Sequence, residues 1–148
     1  MITKLFPYLN FDGDGKEATH FYAEVLGAEV AGISTYGEAH GDMEGLPEDA
    51  KDLVMNAQLN LKNGDTLMIS DVPPGMGMSF QKGNNVSLTV TVDNIEEART
   101  IFGALTEGGT VTMDLQETFW SPLYGNLTDR YGIEWQISVD RQTDKQPD

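Results

Sequence analysis

The segments EATHFYAEVLG, residues 17–27, and EARTIFGALTEGG, residues 97–109, decide the fold. Eighty positions apart, Glu17-Ala18 leads to Phe21, Tyr22 and Val25, and Glu97-Ala98 leads to Ile101, Phe102 and Leu105. From each alanine the apolar residues fall at i+3, i+4 and i+7, the spacing of one buried helical stripe. Both helices run into glycine, Gly27 in one case and Gly108-Gly109 in the other. Glycine accepts the left-handed backbone of a C-terminal cap. A fixed offset between two such segments is the signature of a repeated unit.

A second match lies 68 positions apart: Leu59, Gly64, Leu67, Ile69 and Ser70 against Leu127, Gly132, Trp135, Ile137 and Ser138. Both stretches read as strand, turn at glycine, strand. Each unit therefore reads as strand, helix, three strands. The first has strands at 5–11, 29–36, 56–62 and 66–70 around a helix at 16–26. The second has strands at 86–92, 110–115, 125–129 and 133–139 around a helix at 95–107, with Asp93 or Asn94 as its N-cap. The smaller second offset makes the first unit 12 residues longer between helix and hairpin. The organisation is a first βαβββ module over 1–71, a linker over 72–85 rich in Pro, Gly and Met, a second module over 86–140 and a flexible tail over 141–148, together one structural domain.

The extra length coincides with residues 34–52, an acidic insertion in which Glu38, Asp42, Glu44, Glu48, Asp49 and Asp52 face one base, Lys51. That segment holds a third of the net charge of −15 carried by the 148 residues. It reads as a solvated loop with a helical turn after Pro47, or as a lid over a site. The overall charge argues against nucleic acid, whose phosphates attract clustered Lys and Arg, and against anionic membrane surfaces. No apolar run approaches a membrane span and no basic-then-apolar leader opens the chain. A cytoplasmic protein is expected. With no cysteine there is no disulfide, thiolate nucleophile or sulfur-based metal site.

Further motifs complete a recognisable pattern: Pro7-Tyr8-Leu9-Asn10-Phe11-Asp12-Gly13, Leu67-Met68-Ile69-Ser70-Asp71, Glu117-Thr118-Phe119-Trp120, and Thr128-Asp129 through Gly132 to Trp135. With the paired units they resemble the vicinal oxygen chelate superfamily, which includes glyoxalase I, extradiol dioxygenases and the fosfomycin and bleomycin resistance proteins. Within it they resemble the PhnB-like branch, over about residues 3–139. The resemblance implies an α+β fold, glyoxalase/bleomycin resistance-like. Its paired βαβββ modules would form a curved mixed sheet around a cleft, often in a homodimer. Metal-dependent members take ligands from the first and last strand of each unit. Here the resemblance carries those positions to Pro7, Met68, Ser87 and Gln136, which are neutral and poor ligands for hard or borderline ions. No metal and no cofactor are expected. The methyltransferase label sometimes attached to PhnB-like sequences is not carried over, because no loop for S-adenosylmethionine is read.

Strand alternation outlines a candidate surface independently, since residues i and i+2 share a face. Ser87, Thr89 and Thr91 oppose Val86, Leu88, Val90 and Val92. Asn56, Gln58 and Asn60 oppose Ala57, Leu59 and Leu61. Met68 lies with Thr66 and Ser70, and Gln136 with Glu134 and Ser138. These polar, mostly uncharged faces are open to three readings: solvent exposure, the lining of a ligand cleft, or a subunit contact. Asn56 stands where PhnB-like proteins often have histidine, and asparagine is no general base. His20, inside the first helix, and His40, in the insertion, read as exposed. Glu134 is the one candidate catalytic carboxylate, against the reading of a strand-edge glutamate in water. Phe119, Trp120 and Tyr124 pack the core, wall a pocket or meet a second subunit. Trp135, between Ile133 and Ile137, belongs to the core. Met76, Met78 and Phe80 anchor the linker or offer adaptable apolar contacts.

The expected function is metal-free binding of a small ligand, cationic or amphipathic, by Asn56, Gln58, Met68, Ser87, Thr89, Phe119, Trp120, Tyr124 and Gln136. The alternatives are an enzyme, either a metal-dependent lyase or isomerase or an acid–base catalyst using Glu134, and a structural or regulatory dimer.

Overall fold

Among the described residues, two short apolar stripes and eight strands order themselves as two successive units. The computed structural model describes residues 1–40, 45–75 and 77–141; residues 41–44 of the insertion, the side chain of His40, Met76 and the tail beyond residue 141 lie outside the described residues. The chain divides into units of residues 1–81 and 82–148. The first runs β1 (Tyr8–Phe11), α1 (Gly15–Leu26), β2 (Glu29–Thr35), a short α2 (Tyr36–His40), a 3-10 turn (Glu48–Ala50), β3 (Val54–Asn60) and β4 (Thr66–Asp71). The second runs β5 (Ser87–Val92), α3 (Ile95–Thr106), β6 (Thr110–Gln116), β7 (Tyr124–Thr128) and β8 (Glu134–Val139). The sheets have the orders β1-β4-β3-β2 and β5-β8-β7-β6, so each unit closes by laying its first strand parallel against its last. This is the α+β arrangement of paired βαβββ modules that the repeats predict.

Each sheet buries one face under its helix. In the first unit Ala18 and Tyr22 of α1 are buried with Phe11, Ala57, Leu59, Leu67 and Ile69, and the Phe11 and Tyr22 rings lie 6.3 Å apart. In the second, Ala98, Ile101, Phe102 and Leu105 of α3 are buried, as are Leu127, Trp135, Ile137 and Val139 of the sheet. The alternation of apolar and polar residues in β3, β5 and β8 is thus real two-sidedness.

The helix termini are built differently in the two units. Asn94 caps α3 by accepting from the Glu97 amide at 2.8 Å. Asp14 makes no such bond. Instead Asp71, at the end of β4, accepts at one carboxylate oxygen from the amides of Gly13 (3.0 Å) and Gly15 (2.8 Å), and at the other from Val54 (2.8 Å). Three N–H donors offset the cost of burying this carboxylate, which is 2% exposed. The approach is so close that a Cβ on Gly15 would lie 2.7 Å from the carboxylate. In the second unit Asp129 accepts from Tyr131 (2.8 Å) and Ile133 (3.0 Å) amides and from the Trp135 indole (2.8 Å), closing the β7–β8 turn.

The observed strands differ from the predicted ones at their starts. β1 begins at Tyr8, and Leu5 is 96% exposed. Pro7 has no amide to donate to the ladder, although its carbonyl accepts from Met68 at 3.1 Å. One residue more separates β1 from α1 than β5 from α3, a turn in which Gly13 takes φ +101°. Val86 stays outside β5 and is exposed.

The insertion is partly folded back. Tyr36 and Gly37 donate their amides to the Leu53 and Lys51 carbonyls, and the turn after Pro47 buries Ala50 completely. Its acids Glu38, Glu48, Asp49 and Asp52 are exposed.

Candidate functional site

The face of each sheet away from its helix carries polar side chains in cross-strand rows. In the first unit one row runs Tyr8–Met68–Gln58–Gly32, and beyond it Asn10 faces Ser70 and Asn56 faces Ser34. Hydrogen bonds join the rows and neighbours within them: Asn56 donates to the Tyr8 hydroxyl (3.0 Å), Ser70 to Asn10 (2.9 Å) and Gln58 to Asn60 (2.8 Å). Asn56, Gln58 and Met68 therefore come together as the alternation predicts. The register sets Tyr8, not Pro7, opposite Met68. Aligning the units through their helices misplaces the first strand by one residue, because of the longer β1–α1 turn.

Tyr36 reaches this unit's face from the insertion, donating its hydroxyl to the Asp71 carbonyl at 2.9 Å. Its phenol is held above the ordinary tyrosine value, first by burial, then by the charge of Asp71 and by Tyr8.

In the second unit the rows are Ser87–Glu134–Thr128 and Thr89–Gln136–Asn126. Gln136 sits at the centre of a chain: it accepts from the Tyr124 hydroxyl and donates to Ser87 at 2.8 Å. Thr112 donates to Asn126. Glu134 begins β8, which lies between β5 and β7 and is no edge strand; its carboxylate is half-buried and accepts from Thr128 at 2.8 Å.

Beside Gln136 stands an aromatic ladder. The Trp120 ring meets Tyr124 edge-on at 5.2 Å and Phe119 edge-on at 4.7 Å. Between β6 and β7 a tight turn holds it: the Thr118 amide donates to the Ser121 carbonyl (3.0 Å), and the Ser121 amide to the Thr118 hydroxyl (3.1 Å). Ser121 is fully buried and its hydroxyl accepts from the Leu123 and Val139 amides. The base of the turn is thus fixed, and its tip lifts Phe119 (88% exposed) and Trp120 (48%) away from the core. Core packing does not describe these two rings. Trp135 by contrast is core, at 2% exposed.

Neither unit offers a donor set that fits the superfamily's metal. Met68, Ser87, Thr89, Tyr8 and Gln136 are neutral, and both ends of the Gln136 carboxamide are engaged. Among the described residues no three of His, Asp and Glu gather where they would hold an ion. The strand–glycine–helix turn of the first unit offers no cradle for a cofactor either, since Gly13 and Gly15 already donate to Asp71.

Tyr8, Asn10 and Tyr36 escape the sequence reading of the site. The alternation of Tyr8 and Asn10 with Leu9 and Phe11 marks the first two; nothing local marks Tyr36, whose partner is 35 residues away.

Two βαβββ units with these sheet orders define a protein of the glyoxalase/bleomycin resistance fold. The fold alone is shared with a glyoxylase/bleomycin resistance protein/dioxygenase domain from Frankia sp. EAN1pec, at TM-score 0.64 and 14% identity over 97% of this chain and 96% of that one. The chain belongs to the PhnB-like family whose model is described as 3-demethylubiquinone-9 3-methyltransferase, matched over residues 3–138. It is similar to protein PA1353 from Pseudomonas aeruginosa, with 34% identity and TM-score 0.81 over 94% of this chain and 98% of that one. A putative 3-demethylubiquinone-9 3-methyltransferase, PhnB protein, from Bacillus cereus gives 30% and 0.74 over 93% and 99%. Protein YjdN of Escherichia coli (strain K12) is 30% identical over 93% of this chain and 96% of its own. No helix among the described residues is long and apolar enough to cross a membrane.

Proposed function

We propose that the chain is a metal-free small-molecule-binding protein whose ligand is cationic or amphipathic. The observation that carries this reading is the ladder Phe119–Trp120–Tyr124, exposed at one end and joined at the other, through the Tyr124 hydroxyl, to Gln136 and Ser87. Exposed aromatic faces attract organic cations and apolar groups, and the neutral carboxamide beside them orients without repelling. The net charge of −15 raises the local concentration of cations. Trp120 reports on the site directly, because the other tryptophan is buried. Titration with benzyltrimethylammonium at low salt is expected to change Trp120 emission saturably, and Trp120→Phe to abolish the change. A linear, unsaturable response counts against the reading.

One observation favours an enzyme as the second reading: Glu134, a half-buried carboxylate, lies on the same face as Gln136, one row away. If an activity is found, Glu134→Gln is the variant that decides whether this carboxylate serves as its base. Cytoplasmic location and a homodimer complete the proposal. Exposed Leu5 and Val86 are the kind of surface a second copy covers, and sedimentation velocity tests it.

A further inference from the structure

We propose that the open sheet face of the first unit is a recognition surface of its own, for an uncharged, planar ligand that presents hydrogen-bond donors and acceptors side by side, such as a lactam, imide or urea. This rests on the reading that the polar faces bind small molecules, and it adds a ligand class distinct from that of the aromatic ladder. Three side-chain bonds, Asn56 to Tyr8, Ser70 to Asn10 and Gln58 to Asn60, use one half of each of four carboxamides and fix their planes. What they leave is specific. Asn10 keeps its NH2 group and Asn60 its NH2 group, Asn56 and Gln58 keep their carbonyl oxygens, and Tyr8 keeps its proton. Acceptors of Asn56 and Gln58 and the Asn60 donor therefore follow one another along β3, the Tyr8 and Asn10 donors lie on β1, and a charged side chain, Glu29, stands on this face opposite Asn60. That array matches neutral amide-like groups, whose own donors and acceptors are adjacent, better than an ion, which needs donors or acceptors alone.

Beside Gln58 the neighbouring strand also lacks a side chain. Gly32 stands opposite Gln58 on this face, and a Cβ placed there meets nothing within 4 Å. Its φ lies in the range any residue adopts, so a side chain at 32 fills space in front of Gln58 without straining the strand.

Uracil, an uncharged imide at neutral pH, is the probe. In an isotope-labelled full chain, uracil is expected to shift the side-chain NH2 signals of Asn10 and Asn60 saturably while the Trp120 indole signal stays in place. Gly32→Val is expected to weaken this at least tenfold, and Asn10→Ala, which removes a surface donor together with the acceptor of the Ser70 hydroxyl, to do the same. Benzyltrimethylammonium in the same samples is expected to move Trp120 and leave Asn10 and Asn60 unmoved. Unmoved carboxamide signals at saturating uracil, or full binding retained in both variants, overturn this inference whatever Trp120 does; a Trp120 signal unmoved by benzyltrimethylammonium, with carboxamides shifting under uracil, overturns only the ladder's role.

Discussion

Asp71 shows how one side chain holds a unit together. Its two oxygens tie the start of α1 to the start of β3, through Gly13, Gly15 and Val54. Asp71→Ala leaves these buried amides without their acceptor, at about 1–3 kcal/mol each. A loss of roughly 3 kcal/mol or more is expected in urea unfolding. Gly15→Ala is expected to destabilise too, reversing the usual preference for alanine in helices of roughly 0.5–1 kcal/mol, because its Cβ lies 2.7 Å from the carboxylate. Tyr36 carries the pH dependence. A phenol whose value is raised in the folded state binds its proton more tightly there than when unfolded, so its contribution is fully present below the ordinary tyrosine value of 10.0 and is lost as pH rises through the raised one. Alkaline unfolding curves of the parent and Tyr36→Phe should therefore run parallel below that value and converge above it. Curves that stay parallel throughout would contradict the assignment.

At the scale of elements, α1 and α3 look alike in sequence and differ in their N-termini. Asn94 accepts from Glu97, so Asn94→Ala is expected to cost about 1 kcal/mol. Asp14 makes no cap bond, so Asp14→Ala should change the unfolding midpoint little. The helical stripes and the sidedness of β3, β5 and β8 were legible because each is a local periodicity with a buried face; β4 is buried on both faces from Leu67 on, which alternation does not predict. The register of β1 was not, because it depends on one residue in a turn. Nor was the fate of Phe119 and Trp120: their composition suits a core, and only the bonds of Thr118 and Ser121 push them outward. The placement of the candidate site residues was legible to the same degree. Asn56, Gln58 and Met68 followed from alternation, as did Ser87, Thr89 and Gln136. Tyr36 did not, since its role comes from a contact far along the chain.

For the molecule as a whole, duplication supplies two similar scaffolds with different open faces, one rich in carboxamides, the other edged by aromatics. A third of the net charge sits in the insertion, whose described acids are exposed, while the rows of the sheet faces carry few charged side chains. Its effect on ligands is then long-range attraction, which salt screens over about 8–10 Å at physiological ionic strength. Affinity for a cationic probe is expected to fall several-fold between low and physiological salt, and affinity for uracil to stay constant. The most direct test of metal-free binding is calorimetry of the chelator-treated protein with benzyltrimethylammonium at low salt. The account predicts saturable heat that is unchanged by added divalent metal and lost in Trp120→Ala. No saturable heat, or heat that returns only when metal is restored, would contradict it.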